Sequence, residues 1–554
     1  MPRIMNIKTA IAKICFLLIL SSTSHGQDQQ RKLPPNINQP SVNLYAPAIS
    51  GDGSTLVYLS DYTDDGSHSM YFTTKKSGLS WNEPIEVSKV INRPTLNYRG
   101  GYCLSFDGNM LVFTSRKSGL GGFELWYSER QGNNWGAPAN FGRPINSASN
   151  EGTPSLSPDG ESMFFMRCDG MTEEKGATGC KIFVTTKKYG KWQEPVELPA
   201  NINTGNSQNP KILADGESLI FSSDKMGGKG GLDLFITRKE GDSWSKPIPM
   251  DFINTSKDDQ FVSFPSRGRY LYASQHTGRE YQLVEVLVPD EFQPKKVMKI
   301  EGKVVDKLTG QPVNAKLTAF NVNLRDRIWN DQIGEAGEFS LVLNEGSTYD
   351  LSVLHPDPSY MYYSKIYALE TIGRRDRENL KIELTKLARG LEFDSDIFFK
   401  ENSSEIDDRS TYELRRLSDM IRRNPSIQLQ FIVEQTNYKS DSLRSDMDLT
   451  EIHIDSIYID RQVSVETQDS NLDDLSEIDS VNVSSPEPVY ETVRELITKT
   501  TYHNDRTVKQ GDAIKNYLME KGATEENIIF KYKKSQSLVE DREDVIVKVK
   551  VLGL

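Results

Sequence analysis

Residues 151–165 read E-G-T-P-S-L-S-P-D-G-E-S-M-F-F, residues 180–195 read C-K-I-F-V-T-T-K-K-Y-G-K-W-Q-E-P, and V-E-L-P-A-N-I-N-T follows to Thr204. The front half of the chain copies this stretch. Its Asp-Gly turn recurs at Asp52-Gly53, Asp107-Gly108, Asp159-Gly160 and Asp215-Gly216, with a worn fifth copy at Arg267-Gly268, at spacings of 55, 52, 56 and 52 residues. Trp-x-x-Pro recurs at Trp81, Trp135, Trp192 and Trp244, and Ile-Asn at Ile91, Ile145, Ile202 and Ile253. A fixed period of this length is the signature of a repeat architecture.

Each unit contains short β-rich runs, such as Ser162–Phe165 and Lys181–Thr186, bounded by turn residues. In the turn Ser157-Pro158-Asp159-Gly160, Pro158 presets φ, Asp159 bonds to nearby backbone, and Gly160 takes positive φ without strain. A glycine-rich loop follows the second strand at Gly227–Gly231 and Gly119–Gly122. One four-stranded sheet cannot bury both faces alone. Sheets stacked in a ring can, with the repeated tryptophan between them, and a ring protects their edges. The expectation is a five-bladed β-propeller over residues 31–295, with six blades as the alternative count. The segment Leu33–Pro47 matches a blade end and is expected to help close the ring. These repeats resemble the TolB-type, WD-repeat-like (PD40-type) propellers of bacterial envelope proteins. The resemblance implies a protein-interaction platform, in some members a sugar-binding one, with Asp159, Trp192 and the glycines in structural roles.

At 554 residues the chain is too long for one core. With 36% hydrophobic residues and a mean hydropathy of −0.54, the part beyond the N-terminus reads as soluble. Residues 1–26 read as a secretory signal peptide. Arg3, Lys8 and Lys13 precede the apolar run Ile14–Leu20, and small residues end at Gly26. No later run reaches membrane-spanning length, so the expected product is exported, without a transmembrane segment after cleavage. Export makes cysteines candidates for disulfides. Cys168 and Cys180 flank one loop of the third repeat and are expected to pair, whereas Cys103 is expected to lie buried and free.

A second domain is expected over 298–388. Its I-E-G-K-V-V-D strand, its L-T-G-Q-P-V turn and Gly337-Glu338-Phe339 resemble a carboxypeptidase-regulatory-like β-sandwich, which implies a non-enzymatic spacer. The third domain spans 390–554. It reads as a strand at Ile397–Phe399, a helix near Asp408–Asn424, a strand at Gln428–Val433, a helix near Val508–Lys521, and strands at Asn527–Tyr532 and Asp544–Val551. That α+β order, with I-F-F-K-E-N-S-S-E-I and A-I-K-N-Y-L-M-E-K-G-A, resembles the OmpA C-terminal domain, a family that binds peptidoglycan through diaminopimelate. The family's G-H-T-D aspartate corresponds to Asn437, and its helix-start arginine to Gln510. Both positions keep hydrogen-bonding atoms and lose charge. Since hydrogen bonds to charged groups are worth ~1.5–3 kcal/mol each, the exchange weakens peptidoglycan binding. Arg506, four residues before Gln510, is placed to restore a guanidinium if the helix extends N-terminally.

Between these motifs lies an insert, residues 439–503, with 15 Asp and Glu against 5 Lys and Arg. It carries most of the chain's net charge of −12 and reads as largely solvated, apart from a strand through Ile452, Ile454, Ile457 and Ile459. The acidic balance excludes nucleic acid as a partner. No H-E-x-x-H, C-x-x-C, G-x-S-x-G, P-loop or EF-hand motif occurs, so no catalytic residue, metal or cofactor is expected.

The whole is thus expected to be a mainly β multidomain scaffold of the periplasm, associated with the outer membrane or cell wall. Its expected partners are peptidoglycan and envelope or secretion-system proteins. The domain order resembles the peptidoglycan-associated component of type IX secretion systems, without that component's helical repeats. The alternative is an interaction module whose C-terminal domain has exchanged peptidoglycan for a protein. A weaker third reading gives the propeller a glycan-binding or glycan-hydrolysing role.

Overall fold

The structure is a computed structural model. It describes residues 29–61, 68–78, 80–92, 101–116, 122–172, 176–188, 190–266, 269–373, 376–444, 449–465, 489–536 and 545–554. The signal-peptide reading, the Arg267-Gly268 turn, most of the Gly119–Gly122 loop and residues 466–488 of the insert lie outside the described residues. Strands dominate, and the chain forms two compact units. The first is Met1–Lys303 with Ala336–Ser347 and Ala368–Ile382, and the second is Val304–Glu335 with Thr348–Tyr367 and Glu383–Leu554.

In the first unit, five sheets follow one another, beside a small two-stranded one of Gly170–Thr172 and Gly176–Thr178. Four start at Leu44–Ile49, Tyr102–Leu104, Asn150–Leu156 and Gln208–Ile212, and each has five short antiparallel strands. The fifth pairs Tyr270–His276 with Tyr281–Leu287 and takes its third strand, Gln30–Lys32, from the other end of the unit, with Gln30 opposite Val286. Apolar clusters bind each sheet to the next. Val57 and Phe72 meet Leu111 and Phe113, Val112 and Leu125 meet Met163 and Phe165, and Phe164 and Ile182 meet Leu219 and Phe221. Ile220 and Ile236 meet Leu271 and Val284, and Tyr272 and Leu283 return to Leu44 and Leu56. The fifth sheet therefore packs on the first, as in a propeller. Burial on two sides explains the unbroken apolar run Leu56-Val57-Tyr58-Leu59, every residue of which is buried. The repeated tryptophans sit between sheets, Trp135 edge-on to Phe72 and Trp244 edge-on to Phe164. The closing strand lies ahead of the Leu33–Pro47 segment, and Leu33 and Ile37 instead fill the seam between the first and last sheets.

The Asp-Gly turns share one chemistry. Oδ1 of Asp52, Asp107, Asp159 and Asp215 accepts the N–H two residues on, at 2.9, 3.1, 3.0 and 3.0 Å. The glycine beside each has φ between 65° and 74°. A three-stranded sheet, in the order Glu338–Asn344, Val297–Asp306 and Arg377–Leu384, falls largely within this unit.

The second unit holds most of a four-stranded sheet, ordered Asp326–Gln332, Lys316–Asn321, Ser347–Leu354 and Tyr363–Leu369. The stretch 298–388 thus supplies strands to a three-stranded and a four-stranded sheet. The same unit holds the C-terminal domain, whose sheet runs Glu392–Asp394, Val545–Gly553, Gln428–Gln435, Ile528–Lys534. The pairing of Gln428–Gln435 with Ile528–Lys534 is parallel. Its helices are Thr411–Arg423 and Thr507–Glu520, and Leu414, Leu417, Ile421, Ile514 and Leu518 face a core with Leu429, Phe431 and Val549. The first strand is Glu392–Asp394. The expected strand at Ile397–Phe399 is reduced to a single bridge from Phe399 to Ile406, while Ile397 still packs in the core.

The described part of the insert is not irregular. Glu451–Val465 and Val489–His503 form an antiparallel ribbon, Ile457 opposite Ile497. The expected strand through Ile452–Ile459 is its first half. The second half was hidden by its composition, in which Lys499, Arg494 and two glutamates interrupt Val493, Leu496 and Ile497.

Candidate functional site

The second helix of the C-terminal domain begins at Thr507, and Arg506 is its N-cap residue. The Gln510 N–H donates to the Arg506 carbonyl at 2.9 Å, so both residues belong to the first turn and face one cavity of about 320 Å³. Phe399, Ser403, Asp407, Arg409 and Gln435 also line it. Gln510 is 2% exposed and its Nε2 donates to the Ser403 carbonyl at 3.1 Å, but among the described residues nothing donates to its Oε1. A buried acceptor without a donor costs about 1–3 kcal/mol, which singles out Gln510 among the residues that line the cavity. Arg506, also buried, donates to the Asn504 carbonyl at 3.0 Å and the Thr450 hydroxyl at 2.7 Å. Asp407 accepts from the Arg409 N–H at 2.9 Å and from its Nε at 3.0 Å. Burial opposes ionisation of Asp407, but these bonds outweigh it and lower the pKa.

Asn437 is not among the cavity residues. Its carbonyl accepts from Asn504 Nδ2 at 2.7 Å, while Asn504 Oδ1 accepts from the Lys439 N–H at 2.9 Å. Asn504, 1% exposed, thus ties together the two ends of the insert and one anchor of Arg506. Its buried amide gave no motif to read in the sequence.

The other sites belong to the first unit. Cys168 and Cys180 form a disulfide (S–S 2.04 Å), and Cys103 is buried and free. A left-handed residue stands at the inner edge of each sheet: Ala46, Gly101, Thr153, Asn209 and Phe261, with φ from 43° to 66°. All five, with Lys211, line a cavity of about 40 Å³. Thr153 Oγ1 and Asn209 Oδ1 are buried there without partners among the described residues. Burial lowers the Lys211 pKa and pushes the Cys103 thiol up to about 11. A fivefold repeat of strained backbone belongs to the architecture of the ring, whereas Lys211 and the two unpartnered oxygens occur once each. A larger cavity of about 890 Å³ is lined by Tyr127, Phe141, Asp159, Lys187, Trp192 and Lys299, among others. There Lys187 lies 4.9 Å from the ring centre of Trp192, which is half-buried.

In the second unit a buried ionic cluster fastens the first helix to the four-stranded sheet. Arg416 grips Asp350, with Nη2 donating to Oδ2 at 2.8 Å, and binds Glu413 at 2.8 Å. Tyr362 donates to Glu413 at 2.7 Å. Asp396, pushed up to about 6 by burial and by the Glu413 charge, completes the group. Three carboxylates around one guanidinium look like catalytic chemistry in outline. The bidentate closure on Asp350, which is 0% exposed, makes the cluster a structural joint.

Among the described residues, no group of three or more His, Cys, Asp or Glu is placed to hold a metal ion, and no helix is long and apolar enough to cross a membrane. No protein-family model matches the chain, and no curated protein matches it in sequence. Solved structures similar to it include TolB-like and other propeller-type proteins. A structure described as putative TolB from Agrobacterium tumefaciens is 15% identical, covers 54% of this chain and 90% of its own, and has a TM-score of 0.27. An oligogalacturonate lyase from Vibrio parahaemolyticus is 10% identical over 48% of this chain and 94% of its own, with a TM-score of 0.29. A Bacteroides ovatus protein described as xyloglucan PUL GH43B is 12% identical over 61% and 91%, with a TM-score of 0.29. Enzymes stand beside a TolB-like protein here, and likenesses this distant carry no chemistry to this chain.

Proposed function

We propose that the chain is an exported, non-catalytic envelope scaffold. Its propeller docks a protein partner, and its C-terminal domain associates with the cell wall or outer membrane. The observation that carries this reading is the cavity at the start of the second helix. Arg506 and Arg409 bring guanidinium groups to it, Arg409 already bound to the Asp407 carboxylate, and Gln510 Oε1 accepts from no donor among the described residues. A ligand that presents a carboxylate beside an ammonium fits that pattern, since guanidinium forks onto carboxylate and the amide oxygen takes an N–H. Diaminopimelate in a peptidoglycan stem peptide has that pair of groups. The test is co-sedimentation of the full chain with isolated peptidoglycan. The chain is expected in the pellet, with Arg506→Ala and Gln510→Leu each reducing the bound fraction at least tenfold. A chain that stays in the supernatant overturns wall binding.

A second reading has its own observation. Asn437, at the position of the family's ligand-binding aspartate, stands outside the cavity. On this reading the C-terminal domain is a protein-docking module, and the same experiment gives no pellet. Envelope or secretion-system proteins are the partner class for both readings.

A further inference from the structure

The ribbon of the insert is unfinished as a structure. Every side chain of Val489–Lys499, and of Ile454–Ser464 opposite it, is exposed, including Tyr458 at 67%. A two-stranded hairpin alone is at best marginal in water, and clustered exposed apolar residues mark a contact surface. The two edges differ. The outer edge of Val489–His503 is capped near its end by Ser440–Asp441, which pairs with His503 and Tyr502. Along Glu451–Val465, no described strand lies on the free edge. Monomeric proteins blunt such edges with Pro and with charged side chains, Lys above all; residues 452–464 contain no Lys or Pro, and their charges are Asp455, Asp460 and Arg461.

We propose that this free edge pairs antiparallel with the same edge of a second copy of the chain, about a twofold axis at Tyr458. In a symmetric antiparallel pair, residues equally far from the axis face each other, and side chains share a face only when the axis passes through a residue. Asp455 and Arg461 stand three positions to either side of Tyr458, and Ile457 and Ile459 one position to either side. With the axis at Tyr458, Asp455 of each copy meets Arg461 of the other, Ile457 meets Ile459, and the two tyrosines meet at the centre. Moving the axis to Ile457 sets Asp455 against Ile459. Moving it to Ile459 sets Arg461 against Ile457 and Asp460 against Tyr458. Opposite charges and apolar pairs directly across a sheet stabilise it, and mismatches do not, so the charge pattern selects one register. Within its own ribbon, Arg461 has Glu495 at 4.0 Å with both groups well exposed, a contact weak enough to be shared. Leu496, beside Tyr458, extends the central apolar row across four strands, while the row through Ile457 and Ile459 runs from Ile497 to Glu495.

The register can be read by cross-linking the full chain. Cβ atoms directly opposite across antiparallel strands are ~4.5–5.5 Å apart, within reach of a disulfide after small adjustment. Tyr458→Cys should therefore give a covalent dimer on mild oxidation. Ile454→Cys, whose twofold mate lies eight residues along at ~27 Å, should not. Cys103 is buried and does not compete. In sedimentation velocity, Arg461→Asp should weaken the dimer at least tenfold, and adding Asp455→Arg should restore it. A chain that sediments as a monomer at tens of micromolar overturns the proposal and leaves a different protein as the cover. Equal cross-linking at both positions, or a dimer indifferent to the charge swap, overturns the register.

Discussion

The ring of sheets and the ribbon use similar residues and treat them in opposite ways. Leu56 and Val57 in the ring are 0% exposed, while Ile454 in the ribbon is 59% exposed. Ile, Val and Tyr supply both. The difference is topological. In the ring each sheet has a neighbour on both sides and the last sheet takes a strand from the first turn of the chain, so no face is left over. Among the described residues, no second layer covers the ribbon. Apolar composition therefore reports burial in one region and an available surface in the other, and only the count of neighbours tells them apart.

Substitutions can break or sharpen this contrast. The largest effect is expected where burial has enclosed charge. Arg416→Met leaves Asp350 and Glu413 without their guanidinium and should destabilise the second unit by about 3–5 kcal/mol in denaturant unfolding. Next comes the apolar ring, where Leu56→Ala should cost about 2–5 kcal/mol by removing a side chain with no exposed surface. A smaller effect of opposite sign is expected at Asp396. Burial and the Glu413 charge push its folded pKa up to about 6, above the ordinary aspartate value of 3.8, so the folded state holds the proton more tightly. The stability this group contributes is present below pH 4 and is lost as pH rises through 6. Asp396→Asn should therefore stabilise the unit at pH 7 by up to about 3 kcal/mol and have little effect at pH 4. Thermal unfolding at the two pH values checks the sign. The smallest effect is expected on the ribbon, where Ile454→Ala should change unfolding free energy by less than about 0.5 kcal/mol. An effect there as large as that of Leu56→Ala would mean that the ribbon has a buried face.

The sequence made the ring legible because its cues are local and repeated. Ser-Pro-Asp-Gly and Trp-x-x-Pro each act within a few residues, and the period exposes them. The C-terminal helices were legible for the same reason, through Leu414, Leu417 and Ile421 on one face. The joint between the first C-terminal helix and the four-stranded sheet was not legible, since it rests on Arg416 with Asp350, 66 residues apart. Nor were the left-handed residues at the inner edges of the sheets. Four of the five are Ala46, Thr153, Asn209 and Phe261, which carry no glycine to flag them, although proline follows three. At the candidate site the helix-start arginine and the glutamine were readable from spacing. Asn504 was not, because its role is to join backbones that lie 65 or more residues apart.

The most direct test of the proposed function is calorimetric titration of the full chain with a stem peptide ending in diaminopimelate, beside the same peptide with the terminal carboxylate amidated. Binding that is lost on amidation and on Arg506→Ala is the predicted result. No heat from either peptide, or binding untouched by both changes, would contradict wall recognition by this cavity.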